Sequence, residues 1–211
     1  MSDLENQARQ AYEKYKFSDM ISQSIDILTH PSVATFEKYE KQGDITQSLV
    51  YVGTASVIAG LVAFIFGIFG GIGSAIYGLI VGIVSTLVSF YVFAWLIHYV
   101  GRMQGGTGAQ PDVFYTVALY TAPLRAIVGI VSAIPIINIL FIPVNLILSL
   151  YQLYLAYLST RASMNLEQTP AIITVVVAIV AMFIVSAIVS AILLAILGAM
   201  FLGAAATRGV F

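Results

Sequence analysis

The stretch ITQSLVYVGTASVIAGLVAFIFGIFGGIGSAIYGLIVGIVSTLVSFYVFAWLI, running from Ile45 to Ile97, carries no charged side chain over 53 residues. As one helix it would be about 80 Å long, far beyond a hydrocarbon core of about 30 Å. It must therefore fold back on itself. The break falls at Gly70-Gly71-Ile72-Gly73, because glycine costs about 1 kcal/mol in a helix interior and admits the tight backbone of a hairpin turn. Two membrane spans result, residues 47–69 and 74–98.

Working outward, a third apolar segment follows Pro111-Asp112, with Asp112 placed to cap a helix over residues 113–133. Pro135 closes it, and a fourth runs over 136–159. The fifth opens with Thr169 as N-cap and Pro170 at the first helical position, and continues to residue 203. No turn signal divides it, so it reads as one tilted or interfacially extended helix. The expected fold is all-α: a polytopic transmembrane bundle of five spans over residues 45–211, preceded by a cytoplasmic arm of short amphipathic helices over residues 1–44.

Composition agrees with this. Hydrophobic residues make up 60% of the 211 and charged residues 9%, against roughly 45–50% and about 25% in soluble domains. Of the 19 charged residues, 13 lie in the first 44 positions. A net charge of -1 with no Lys/Arg tract gives no basis for phosphate-backbone binding, so nucleic acid is not an expected partner. Without cysteine there is no disulfide, thiolate nucleophile or Cys-ligated metal. The polar start lacks the order of a cleaved signal peptide, and the arm is expected to stay on the mature protein.

Five spans put the two termini on opposite sides of the membrane. Arg9, Lys14, Lys16, Lys38, Lys41, Arg102 and Arg161 fall on one side and only Arg208 on the other. The positive-inside rule then predicts a cytoplasmic N-terminus and an external C-terminus in a cell membrane.

Within the arm, Phe17, Ile21, Ile25 and Leu28 recur at helical spacing, and Val33, Phe36 and Tyr39 repeat the pattern beyond Pro31. These stripes predict two amphipathic helices that lie in the headgroup interface, dock on the span ends, or seek a partner's groove. Glu37 and Lys41 stand at the i,i+4 spacing of an ion pair.

Gly53, Ser56, Gly60, Ala63 and Gly67 form a small-residue seam on span one, and Gly78, Gly82, Ser85 and Ser89 one on span two. Small residues let membrane helices approach closely, so the two seams are expected to face each other, homodimerisation being the other reading. Arg125 is the one charge deep in an apolar stretch, and it should face the bundle or a wet cavity. Asn138, Asn145 and Gln152, spaced by seven on span four, are its expected partners in an intramembrane polar cluster, with Pro123 and Pro143 freeing carbonyls to accept from it. Alternatively, Arg125 snorkels and the amides act as interhelical glue. Tyr151, Tyr154 and Tyr157 read as an aromatic belt.

His30 and His98 are the only histidines, and no HExxH motif, acid cluster or Ser-His-acid set is visible. Neither a metal nor another cofactor is expected, and the chain reads as no enzyme. Gly101 to Gly108 lacks the GK[ST] ending of a phosphate loop and reads as a flexible connection.

The Leu28-Thr29-His30-Pro31 step followed by Phe36 and Gly43, the Gly105-Gly106-Thr107-Gly108 loop, Tyr120-Thr121-Ala122-Pro123 and the Tyr-rich fourth span ending at Arg161-Ala162 together resemble prokaryotic members of the Yip-domain family. These are five-span membrane proteins that interact with Ypt/Rab GTPases, and the similarity covers residues 27–182. The resemblance implies a scaffold-like membrane protein with a cytoplasmic N-terminus that forms homo- or hetero-oligomers. The Asp-Leu-Tyr-Gly-Pro signature expected before span one is not present in Lys41 to Tyr51, so small-GTPase binding is not carried over. The expected function is a non-enzymatic scaffold or adaptor whose partners are membrane lipid, other membrane proteins or itself. A small transporter or channel subunit with a polar site around Arg125 is the competing expectation.

Overall fold

The computed structural model describes residues 17–207, the side chains of 135–140 and 189–207 lying outside the described set. Among the described residues there are seven α-helices and no strand: α1 Phe17–Thr29, α2 Val33–Tyr39, α3 Ile45–Gly67, α4 Ile72–Met103, α5 Gln110–Ala133, α6 Pro135–Met164 and α7 Gln168–Thr207. Five helices, α3 to α7, are long and apolar enough to cross a membrane. The protein is thus the all-α five-span bundle its sequence predicts.

Local chemistry sets most of the boundaries. Asp44 opens α3 with a capping box: its carboxylate accepts from the Gln47 amide at 2.7 Å, and the Gln47 side chain accepts from the Asp44 amide at 3.2 Å. The α3–α4 hairpin turns where its glycines stand, through a 3-10 turn over Ile68–Gly70 and Gly71 at φ +115°, a conformation that disfavours any Cβ. Ile134 separates α5 from α6, with Pro135 in the first turn of the latter. Two starts differ from expectation. Helix α5 begins at Gln110 with Ala109 as its N-cap residue, so Asp112 lies inside the first turn, where its charge complements the helix dipole. Helix α7 begins at Gln168, so Thr169 lies inside the first turn and not at the cap, and Pro170 stands at the third helical position and not the first. It then runs as one uninterrupted helix of 40 residues.

Helix α5 is the hub. Every residue from Val113 to Ala122 is buried, enclosed by α3, α4 and α6 and, near its start, by α1. Such all-round burial requires an all-round apolar helix, and its interior turns meet that requirement. The other spans keep a large outward apolar surface, as lipid-facing helices do.

The seam on α3 lies against α4: a Cβ on Gly60 would stand 2.8 Å from the Leu79 side chain, and one on Gly67 3.3 Å from that of Ala75. A Cβ on Gly53 would make only ordinary contact with Leu87. Gly78 and Gly82 do not answer them. Both are exposed and meet no atom within 4 Å. Branched side chains of α4, Leu79 and Ile83, fill the seam at Gly60 instead, so packing there is small against large.

The connection over residues 104–108 is tied down, contrary to its reading as a flexible loop. The Thr107 amide donates to the Met164 carbonyl at 3.0 Å, and the Asn165 side-chain amide donates to the Thr107 hydroxyl at 3.2 Å. Gly108 lies directly on the Ser163 carbonyl, with no space for a side chain. This clasp joins the α4–α5 and α6–α7 turns on the side of the bundle that carries α1 and α2.

Candidate functional site

Two regions bring chemistry-bearing side chains together. The first is the junction between arm and bundle. Met20, Ile27, Phe36 and Tyr39 belong to the same buried core as Phe114 and Tyr120 of α5. Phe36 meets the Tyr120 ring edge-on at 6.3 Å. Tyrosines of three spans reach down to the arm. Tyr115 donates to the Gln23 side-chain oxygen at 2.8 Å, Tyr151 donates to the Leu28 carbonyl at 2.6 Å, and the Tyr51 and Ser24 hydroxyls share a bond of 2.9 Å. The Gln23 amide continues to Gln42 at 2.8 Å. Tyr151 thus fastens the arm, whereas Tyr154 is exposed and Tyr157 stands beside Arg161, its ring 5.8 Å from the guanidinium.

The face of α1 that docks is Met20, Gln23, Ser24 and Ile27. The periodic stripe, for which docking is one of three readings, is turned about 100° away, one residue along the helix. Ile21 is 51% and Ile25 56% exposed, while Phe17 and Leu28 are half-buried at the edge. The reason is polar: Gln23 and Ser24 are buried because they satisfy tyrosine hydroxyls that would otherwise be stranded.

On the outer side of the arm, Asp26 accepts from the Tyr39 hydroxyl at 2.7 Å and from Lys38 at 3.3 Å, with His30 3.2 Å away. The Tyr39 hydrogen bond, helped by Lys38, holds the Asp26 carboxyl below its usual range. Glu40 is buried, and burial pushes its carboxyl up despite Lys41 at 3.2 Å. Lys41 therefore pairs with Glu40, not with Glu37 as spacing suggested.

The second region is a groove of about 480 Å³ among α4, α5, α6 and α7. Its polar wall is Arg125, Gln152, Ser149, Thr86, Ser89 and Ser186, and Phe90, Phe93, Leu153 and Phe183 supply apolar surface. Arg125 stands about 22 Å along α5 from its start, in the half of that helix away from the arm, and its side chain is exposed. It carries no ion pair and no hydrogen bond among the described residues. Such a guanidinium costs at least about 2.5 kcal/mol in a bilayer centre.

Of the expected cluster, then, Arg125 and Gln152 share one groove. Asn145 is exposed and does not line it, and the Asn138 side chain lies outside the described residues. The stripe of α6 that lines the groove is Ser149, Gln152, Leu153 and Ala156; one turn earlier, residues 142–147 are exposed throughout, so Asn145 keeps the periodicity but is not buried against another helix. The serines and threonines of other helices were missed by sequence reasoning, because nothing in a single chain shows which hydroxyls converge. Among the described residues no three His, Asp or Glu side chains gather as metal ligands.

A five-span helical bundle with a docked amphipathic arm and a polar groove inside the membrane defines a polytopic integral membrane protein. The Yip1 domain family model matches residues 25–189, more than three quarters of the chain, and the chain belongs to that family. No curated protein and no solved structure matches it. Family membership associates the chain with membrane trafficking.

Proposed function

We propose that this Yip1-domain protein is a non-enzymatic scaffold or adaptor of a cell membrane, with its arm cytoplasmic and its C-terminus external. The observation that supports this reading is the arm itself. Hydrogen bonds of the Tyr51, Tyr115 and Tyr151 hydroxyls hold α1 in place, while Ile21 and Ile25 stay exposed one turn apart. A helix fixed this firmly with apolar side chains outward is suited to presenting a surface to another membrane protein or to lipid. Purification in mild detergent, with Ile21→Asp/Ile25→Asp as control, tests it. Co-purifying protein or lipid should be lost from the double variant while α-helicity is kept; equal recovery from both proteins would overturn the reading. Reporter fusions at the two termini should lie on opposite sides of the membrane.

The groove favours a second reading, a small transporter or channel subunit that moves a polar solute past Arg125. Proteoliposome flux separates the two. A scaffold gives none, and a carrier loses its flux on Arg125→Ala.

A further inference from the structure

We infer that the groove at Arg125 is a binding site for a single acid group, a phosphate or carboxylate, held inside the bilayer with its hydrocarbon along the phenylalanines. The inference concerns occupancy alone and stands whether or not a solute crosses the membrane.

Four observations carry it. First, Arg125 brings a permanent charge to the wall, and among the described residues no acid accompanies it there. A guanidinium so placed selects for an anion, and its fork of donors matches a carboxylate or phosphate. Second, part of the nearby polar wall is free to serve. Thr86 and Ser149 spend their hydroxyl protons on carbonyls four residues back, at 2.9 and 2.8 Å. Among the described residues Ser89, Ser186 and Gln152 make no such bond, which leaves donors on three different helices at the groove. Third, Tyr120 lines the same groove, and its hydroxyl is buried without a hydrogen bond of good geometry. An acid group bound there would be met by Arg125 and by the hydroxyl and amide donors beside it. Fourth, the remaining wall is apolar and the groove opens sideways between helices: Leu153 is 43% and Phe183 72% exposed at its edge. An acid group with a hydrocarbon tail could enter from the lipid without crossing water.

The acid group can come from two sources, a lipid or amphiphile of the membrane or a free anion, and the experiment separates them. The full-length protein in maltoside micelles is titrated with dodecyl phosphate and with oleate, followed by native mass spectrometry, with monoolein as the uncharged control. The expected result is saturable binding of one dodecyl phosphate or oleate per chain, weakened at least tenfold in Arg125→Ala and largely retained in Arg125→Lys. Ser89→Phe, which fills the groove and keeps the Arg, should lose binding as well. Inorganic phosphate is then added as competitor. Failure to displace the dodecyl phosphate assigns the site to an amphiphile; displacement at similar concentration assigns it to the free anion; both uphold the acid-group site. Monoolein binding as tightly as oleate to the unmodified protein would overturn the proposal without any variant, as would equal dodecyl phosphate binding by a folded Arg125→Ala protein.

Discussion

The hydroxyl of Tyr115, in the membrane hub α5, donates to the side-chain oxygen of Gln23 in the arm across 92 positions of sequence. Both residues are buried, and the Gln23 amide passes the chain of bonds on to Gln42. This contact makes arm and bundle one structural unit. Tyr115→Phe leaves the Gln23 oxygen buried and unpaired, a loss of about 1–3 kcal/mol. Hydrogen exchange over residues 17–29 should therefore speed up by roughly 5- to 150-fold with the spans unaffected. Unchanged exchange would show that apolar docking alone holds the arm.

Which face of α1 docks can be tested by a pair of substitutions. Met20 is 1% exposed, and Met20→Ala should weaken arm docking by about 2–5 kcal/mol through lost burial and a cavity. Its neighbour Ile21 faces outward, and Ile21→Ala should change docking by under about 0.5 kcal/mol. Limited proteolysis of the arm reads both. The opposite order would put the Ile21 stripe inward instead.

Glycines in this chain carry very different loads. A Cβ on Gly108 collides with the Ser163 carbonyl and one on Gly43 with the Tyr115 ring, so alanine at either position must displace backbone or a buried aromatic. Each should cost about 1–3 kcal/mol or more in thermal stability. Gly78→Ala meets open space within a helix and should be neutral or stabilising by up to about 1 kcal/mol. A destabilising Gly78→Ala would reveal a neighbour at that face in the membrane, such as a second copy of the chain.

Arm docking should respond to pH in two opposed ways. Glu40 has a carboxyl raised above its ordinary value of 4.5 by burial, so its neutral form favours the docked arm. That contribution is complete below 4.5 and disappears as pH rises through the folded-state value. Asp26 is held below its ordinary 3.8, chiefly by the Tyr39 hydroxyl, so its contribution is complete above 3.8 and is lost as pH falls through the folded-state value. Protection of α2 against exchange, corrected for the intrinsic rate, should thus rise on mild acidification and fall again in stronger acid. Glu40→Gln should abolish the rise and Tyr39→Phe should shrink the fall. A flat profile in the unmodified protein would refute both assignments.

Much of the architecture is legible in the primary structure, for reasons that can be located. A charge-free run of 53 residues has one physical outcome in a bilayer of fixed thickness, and Gly70-Gly71 is where a chain can turn most cheaply. Arg125 identifies itself by the cost of its position. Asn145 shows where such reading stops: its spacing from Gln152 is sound, but periodicity says nothing of whether another helix stands opposite.

The order of residues alone therefore determined the number of long apolar segments, the hairpin and the division of charge, because each follows from local composition and the constraint of lipid on the backbone; the family was legible through the resemblance of short motifs. The tertiary structure decided which side of α1 is inward, which glycines are filled, and which hydroxyls join Arg125 and Gln152 in one groove. Those outcomes depend on partners many residues away, such as Tyr115 for Gln23 and Leu79 for Gly60, and a polar residue becomes an interior one only when such a partner waits for it.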